Sequence, residues 1–193
     1  MTLPLFPLDT VLFPGCNLDL QLFEPRYLDM LSGCLKRGEG FGVVTLLVGS
    51  EVGKAPTSFS EVGCEALIRD WRQQPNGLLG IRVEGGRRLR VDSSRVQPDQ
   101  LTLGEVQWLT EGEDPPLGDE HPELQQLLQA LVEHPLVSAL GMTDPVTRHG
   151  ALADRLAYLL PFDNTRKLRL LACLDPRERL AMLDAWLDAL QGE

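Results

Sequence analysis

The chain has 193 residues, 43% hydrophobic and 24% charged, the composition of an ordinary globular protein with room for one large domain or two small ones. A net charge of −10 disfavours nucleic acid as a partner, the more so because residues 113–193 carry 14 acidic and 7 basic side chains, against 14 and 11 in residues 1–112. No run approaches a membrane span and the amino terminus lacks the order of a signal peptide, so no membrane partner and a cytoplasmic setting are expected.

In chain order, Leu3 and Leu5, then Val11 and Phe13, flank Pro4, Pro7 and Pro14. Proline cannot donate to a ladder, so these short strands are expected at edges and corners, not in the middle of a sheet. After the Pro14-Gly15 turn, Leu18, Leu20 and Leu22 alternate with Asn17, Asp19 and Gln21, as in a strand with one buried face. A helix follows at once. Glu24 stands where a cap or first-turn anion belongs, Pro25 fits the first helical position, and Tyr27, Leu28 and Leu31 make an apolar face. Gly38, Gly40 and Gly42 read as the helix exit. Phe41–Val48 and Glu61–Gln73 read as strands, and Pro75-Asn76-Gly77 as the turn into Leu78–Glu84. Gly85-Gly86 is expected to make the next turn. Leu89 and Val91 then alternate with Arg88, Arg90 and Asp92, and Leu101–Leu109 closes the strand-rich region.

Residues 111–118 are acidic and hold Pro115 and Pro116, which suits a linker between a β part, residues 1–112, and a helical part, residues 119–193. The period then becomes helical. Leu124, Leu127, Leu128, Leu131 and Val132 form one stripe; Leu152, Leu156, Leu159 and Leu160 a second; Leu180, Leu183, Leu187 and Leu190 a third. Asp144-Pro145 and Asp175-Pro176 each put a capping carboxylate before a first-turn proline, and Glu178 completes the capping-box spacing after Asp175. A shorter helix is expected over Thr165–Cys173, after Pro161 ends its predecessor.

Three linked segments, Leu3-Pro4-Leu5-Phe6-Pro7-Leu8, Val11-Leu12-Phe13-Pro14-Gly15 and Phe23-Glu24-Pro25-Arg26-Tyr27, resemble the opening of the Lon substrate-binding domain. That domain is the amino-terminal part of the ATP-dependent protease Lon (La) and also occurs alone in short bacterial proteins. The likeness continues through Val62-Gly63, the Pro75-Asn76-Gly77 hairpin and Glu84–Val91, with Leu89 where an aromatic is expected, and on through Leu152–Ala157, Leu160–Phe162 and Lys167–Leu187. The resemblance implies an α+β fold: an amino-terminal PUA-like β pseudobarrel holding one helix, then a carboxy-terminal bundle of about four helices. Its motif positions are Pro7, Phe13, Pro14, Gly15, Phe23, Glu24, Pro25, Arg26 and Tyr27.

Little in the sequence points to catalysis. Gly49–Ala55 has one residue too few between its glycines for a phosphate loop, and Ala55 stands where the magnesium-binding hydroxyl belongs. The cysteines, Cys16, Cys34, Cys64 and Cys173, are scattered without a Cys-x-x-Cys pair and read as reduced residues of the interior. His121, His134 and His149 lack metal-ligand spacing and read as surface or cap residues, so no metal, cofactor or catalytic residue is assigned. Ser58, Ser60, Ser93 and Ser94 lack the strained, glycine-flanked turn of a nucleophile. Arg82, Arg87, Arg88, Arg90 and Arg95 form the one basic cluster; alternate arginines on a hairpin share a face that suits carboxylates or phosphates, or pairs with Glu84 and Asp92. Glu24-Pro25-Arg26-Tyr27 reads as structural.

By the resemblance, the role is non-catalytic recognition of unfolded protein or peptide substrates, with work as an adaptor or regulator of a protease as its extension. An exposed apolar patch where the two parts meet, or a free strand edge, would be the physical means. Two alternatives stand beside it: an RNA-binding PUA-like module using the Arg82–Arg95 hairpin, and an enzyme whose site is assembled from scattered residues.

Overall fold

The first strand, β1 (Thr2–Leu8), lies inside the sheet and not at its edge. Its first half runs antiparallel to β6 (Thr102–Trp108), pairing Thr2 with Glu105 and Pro4 with Leu103; its second runs parallel to β3 (Phe41–Val48), pairing Pro7 with Val44. Only Leu5 meets both. Each proline therefore falls in a half that bonds along one edge, which leaves the other edge for its missing donor. Alternation also divides β1 between two clusters: Leu3 and Leu5 pack with Val44, Leu89 and Val106, while Phe6 and Leu8 pack with Leu12, Tyr27, Phe41 and Val83. The computed structural model describes residues 1–191, with side chains through Ala189, so Leu190 of the expected third stripe lies outside the described side chains.

The fold is mixed α+β, with six strands and six helices among the described residues. Strand order is β2-β5-β4-β3-β1-β6, where β2 is Asn17–Leu22, β4 Ser58–Gln73 and β5 Leu79–Val96. An additional pairing of β5 with β6 joins β5, β4, β3, β1 and β6 into a closed circuit, leaving β2 on the Leu79–Glu84 stretch of β5. Helix α1 (Pro25–Arg37) lays Tyr27, Met30, Leu31 and Cys34 against one cluster and ends at Gly38, in the left-handed conformation at φ 65°.

Two sequence expectations in this region change. Val11 and Phe13 are buried but lie in coil, and Gly85-Gly86 is no turn, because β5 runs through it. The reasons are linked. Gly15 N donates to Gly85 O at 2.8 Å and Gly85 N to Cys16 O at 2.9 Å, so the Phe13–Cys16 coil is fastened directly onto β5. A Cβ at Gly85 would strike the Phe13 carbonyl, so glycine is needed there for close backbone approach.

The chain divides into compact units at Leu109/Thr110. The stretch expected as a linker belongs to the second unit: Gly112 N donates to Leu174 O at 2.9 Å, Asp114 Oδ1 accepts from Gly150 N at 2.9 Å, and Pro116 forms an isolated bridge with Arg148. This unit contains α2 (Pro122–Val132), α3 (Pro135–Ser138), α4 (His149–Leu159), α5 (Asn164–Ala172) and α6 (Pro176–Gln191). Leu152 and Leu156 of α4 are fully buried, as are Leu180 and Leu183 of α6. Asp163 and Asp175 cap α5 and α6, accepting from Arg166 N at 2.8 Å and Arg177 N at 2.9 Å. Asp144-Pro145 starts no helix. Leu117 N takes the Thr147 carbonyl at 2.9 Å and Arg148 is extended, so the helix begins only at His149.

Candidate functional site

The motif Phe23-Glu24-Pro25-Arg26-Tyr27 joins β2 to α1, and its charged members are committed internally. Pro25 occupies the first turn, but the Glu24 side chain does not cap the helix. It accepts from Gly53 N at 3.3 Å and pairs with Arg26 Nη2 at 3.1 Å, while Arg26 Nη1 donates to Gln100 O at 2.9 Å. The guanidinium also lies 4.6 Å from the centre of the Tyr27 ring. Burial pushes the Tyr27 phenol above its usual pKa, and does the same to the Cys34 thiol. Of the other motif positions, Phe13 is fully buried, Pro7 pairs with Val44, and Pro14-Gly15 turns the coil onto β5.

Phe23 is different: it is 51% exposed. It borders a groove of about 160 Å³ lined by Phe6, Leu8, Leu20, Leu22, Tyr27 and Val52. Val52, 52% exposed, stands across from it on the Gly49–Ala55 loop, where Glu51 also accepts from Asp9 N at 2.5 Å. Among the described residues β2 pairs with β5 alone, so its other edge carries no strand. A second groove, of about 400 Å³, is bordered by Asp19 and Gln21 of β2, Trp71 and Arg72 of β4 and Arg82 of β5. Trp71 is 57% exposed there. An unpaired strand edge between grooves with exposed aromatic rings offers main-chain bonding and apolar contact together.

The basic cluster does not form one open face. Arg82 grips Asp19 with two bonds of 2.7 and 2.8 Å, which holds the Asp19 carboxyl below its usual pKa. Arg87 takes Glu65 at 3.0 and 3.1 Å and stacks on Trp108 at 3.7 Å. Arg90 bonds Asp92 and Gln107 at 3.2 and 3.0 Å, and Arg95 lies 3.5 Å from Glu105. Arg88, expected to share an open face with Arg90, is instead enclosed at 1% exposure while Arg90 is exposed, although β4 and β6 flank β5 at this point, so pairing alone does not set which arginine is open.

Comparison with known proteins gives the chain a family. The family model of the ATP-dependent protease La (LON) substrate-binding domain matches residues 2–189. The chain belongs to that family. A Lon N-terminal domain protein from Xanthomonas campestris, solved by crystallography, is similar to this Lon substrate-binding domain at 36% identity and a TM-score of 0.78, covering 96% of this chain and 98% of that one. The N-terminal domain of the Mycobacterium avium complex Lon protease, 21% identical, shares the fold at a TM-score of 0.66, over 96% and 97% of the two chains.

Sequence reasoning singled out Phe23 in this Lon domain, but only as part of the motif, and missed Val52 and Trp71. Both had a signal. Val52 is an apolar residue isolated between Glu51 and Gly53-Lys54, and Trp71 stands between Asp70 and Arg72. One expectation about the histidines is also corrected: His149 is 1% exposed, with Glu120 as a carboxylate neighbour, and is no surface residue. No described helix is long and apolar enough to cross a membrane.

Proposed function

We propose that this chain is a non-catalytic recognition module for unfolded or extended polypeptide, and that β2 with Phe23 and Val52 is its contact surface. The observation that carries the reading is Phe23, half exposed beside a strand edge with no partner strand among the described residues. An extended segment added to that edge would gain ladder hydrogen bonds, and its alternate side chains would reach the groove. The strand circuit supports a PUA-like pseudobarrel for residues 1–109, and the helices of the second unit support a bundle. Delivering clients to a protease, or withholding them, is the biological form we assign to this binding. Free cysteines, three of them buried, fit a reducing cytoplasmic setting. The carboxylate pairing of Arg82, Arg87, Arg90 and Arg95 weighs against RNA.

Fluorescence titration of a reduced, carboxymethylated and therefore permanently unfolded protein tests this. Phe23→Asp and Val52→Asp are expected to weaken binding by about tenfold or more each, since burial of such side chains is worth about 1.5–3 kcal/mol. Leu136→Asp, at a residue 77% exposed in the second unit, is the control and leaves binding unchanged. Absence of binding across a broad panel of unfolded clients overturns the proposal.

A further inference from the structure

We propose that Glu120, His121 and His149 form a binding site for a divalent transition-metal ion of the zinc class. His149, the first residue of α4 and 1% exposed, is the fixed member. Its Nδ1 lies 3.1 Å from the Pro115 carbonyl. A carbonyl only accepts, so Nδ1 carries the hydrogen and Nε2 is the atom turned to the site, 2.6 Å from Glu120 Oε2. A backbone partner of this kind fixes the tautomer and ring plane of a metal-bound histidine.

The surrounding chain holds the other two in place. His149 N also donates to Pro115 O at 3.3 Å, and the adjoining Pro116–Arg148 bridge ties residues 115–117 to the start of α4. Gln125 Nε2 donates to the carbonyls of Gly118 and Glu120, at 3.3 and 2.7 Å, clamping the loop that carries Glu120 onto α2. His121 follows in the left-handed conformation, φ 56° and ψ 50°, which is uncommon for a residue with a Cβ. Its ring meets that of His149 edge-on, with centres 5.6 Å apart.

One ligand atom from each of the three residues lies within 4.8 Å of the others. Ligands sharing a zinc ion at about 2.0–2.2 Å sit roughly 3–4 Å from each other, so closure needs only a small adjustment, which exposed Glu120 and half-buried His121 can make. Two imidazoles and one carboxylate suit zinc, cobalt or nickel and not calcium or magnesium, which favour all-oxygen shells. The bound ion would join the loop before α2 to the first turn of α4. Sequence spacing hides the set, since 28 positions separate His121 from His149.

The test is calorimetric titration of Zn²⁺ into the full chain carrying no polyhistidine tag, with Co²⁺ absorption as the ligand signature. One ion per chain is expected, with ligand-field bands of nitrogen and oxygen ligands and no sulfur-to-cobalt charge transfer. His121→Ala and Glu120→Gln change residues outside the buried interior and are expected to keep the circular dichroism spectrum while weakening binding by about tenfold or more. Absence of stoichiometric binding overturns the proposal. So does affinity unchanged by His121→Ala, or a charge-transfer band that puts the ion on Cys173 instead.

Discussion

Arg26 in the first unit and Arg179 in the second are both withdrawn from solvent, yet their surroundings differ. Arg26 shares its charge with Glu24 at the surface end of α1 and gives one bond to the Gln100 carbonyl. Arg179, with no exposed side-chain surface, reaches Glu111 at 2.9 Å, Asp154 at 3.3 Å and the Cys173 carbonyl at 2.8 Å. The first guanidinium fastens loops around a helix start. The second stands among α4, α6 and the residues expected to be a linker, so a charge helps hold the interior of the helical unit. Buried charge is tolerated only where partners are fixed, and the cost of removing it grows as the stranded partner loses access to water.

The largest effect is therefore expected at Arg179. Arg179→Ala leaves Asp154 buried without its guanidinium and should cost about 3–5 kcal/mol in urea denaturation followed by the fluorescence of Trp186 in α6. Arg26→Ala leaves Glu24 partly hydrated and should cost about 2 kcal/mol, read from Trp71 and Trp108 in the first unit. Equal losses in the two variants would break the contrast.

The smallest effect belongs to an exposed pair. Asp19→Asn, which removes the anion held by Arg82, should cost only about 0.2–1 kcal/mol at neutral pH. Its sign with pH sharpens the comparison. Because the folded state holds the Asp19 pKa below the unfolded value of 3.8, the contribution is complete above that value and fades as pH falls through the lower folded one. The gap between wild type and variant should then narrow as pH falls below 3.8; a gap that does not narrow in acid would contradict the assignment.

Local patterns made much of the fold legible. Leu18, Leu20 and Leu22 marked a one-faced strand, the Asp175-Pro176 cap marked α6, and the helical stripes marked the second unit. The failures came where tertiary contacts decide. Gly85-Gly86 has the composition of a turn, but the glycines admit the Phe13 carbonyl to a continuous strand. Asp144-Pro145 has the composition of a helix start, but pairing of 147–149 with 115–117 delays the helix. Among the candidate site residues, nothing local distinguishes Arg88, which is enclosed, from Arg90, which is not. His149 was equally opaque, since its carbonyl and carboxylate neighbours come from a segment about thirty residues earlier.

The divided pairing of β1 also sets an order of events during synthesis. Residues 2–5 take their ladder from residues 102–105, so they find their antiparallel partner only after about a hundred more residues have been added. Pairing with β3 is available much sooner, at residues 42–45. A nascent chain can thus hold the second half of β1 while the first half waits, with Leu3 and part of Leu5's surroundings still wet. Closure of the strand circuit is a late step, and truncation before Thr102 would yield a strand-rich but open intermediate.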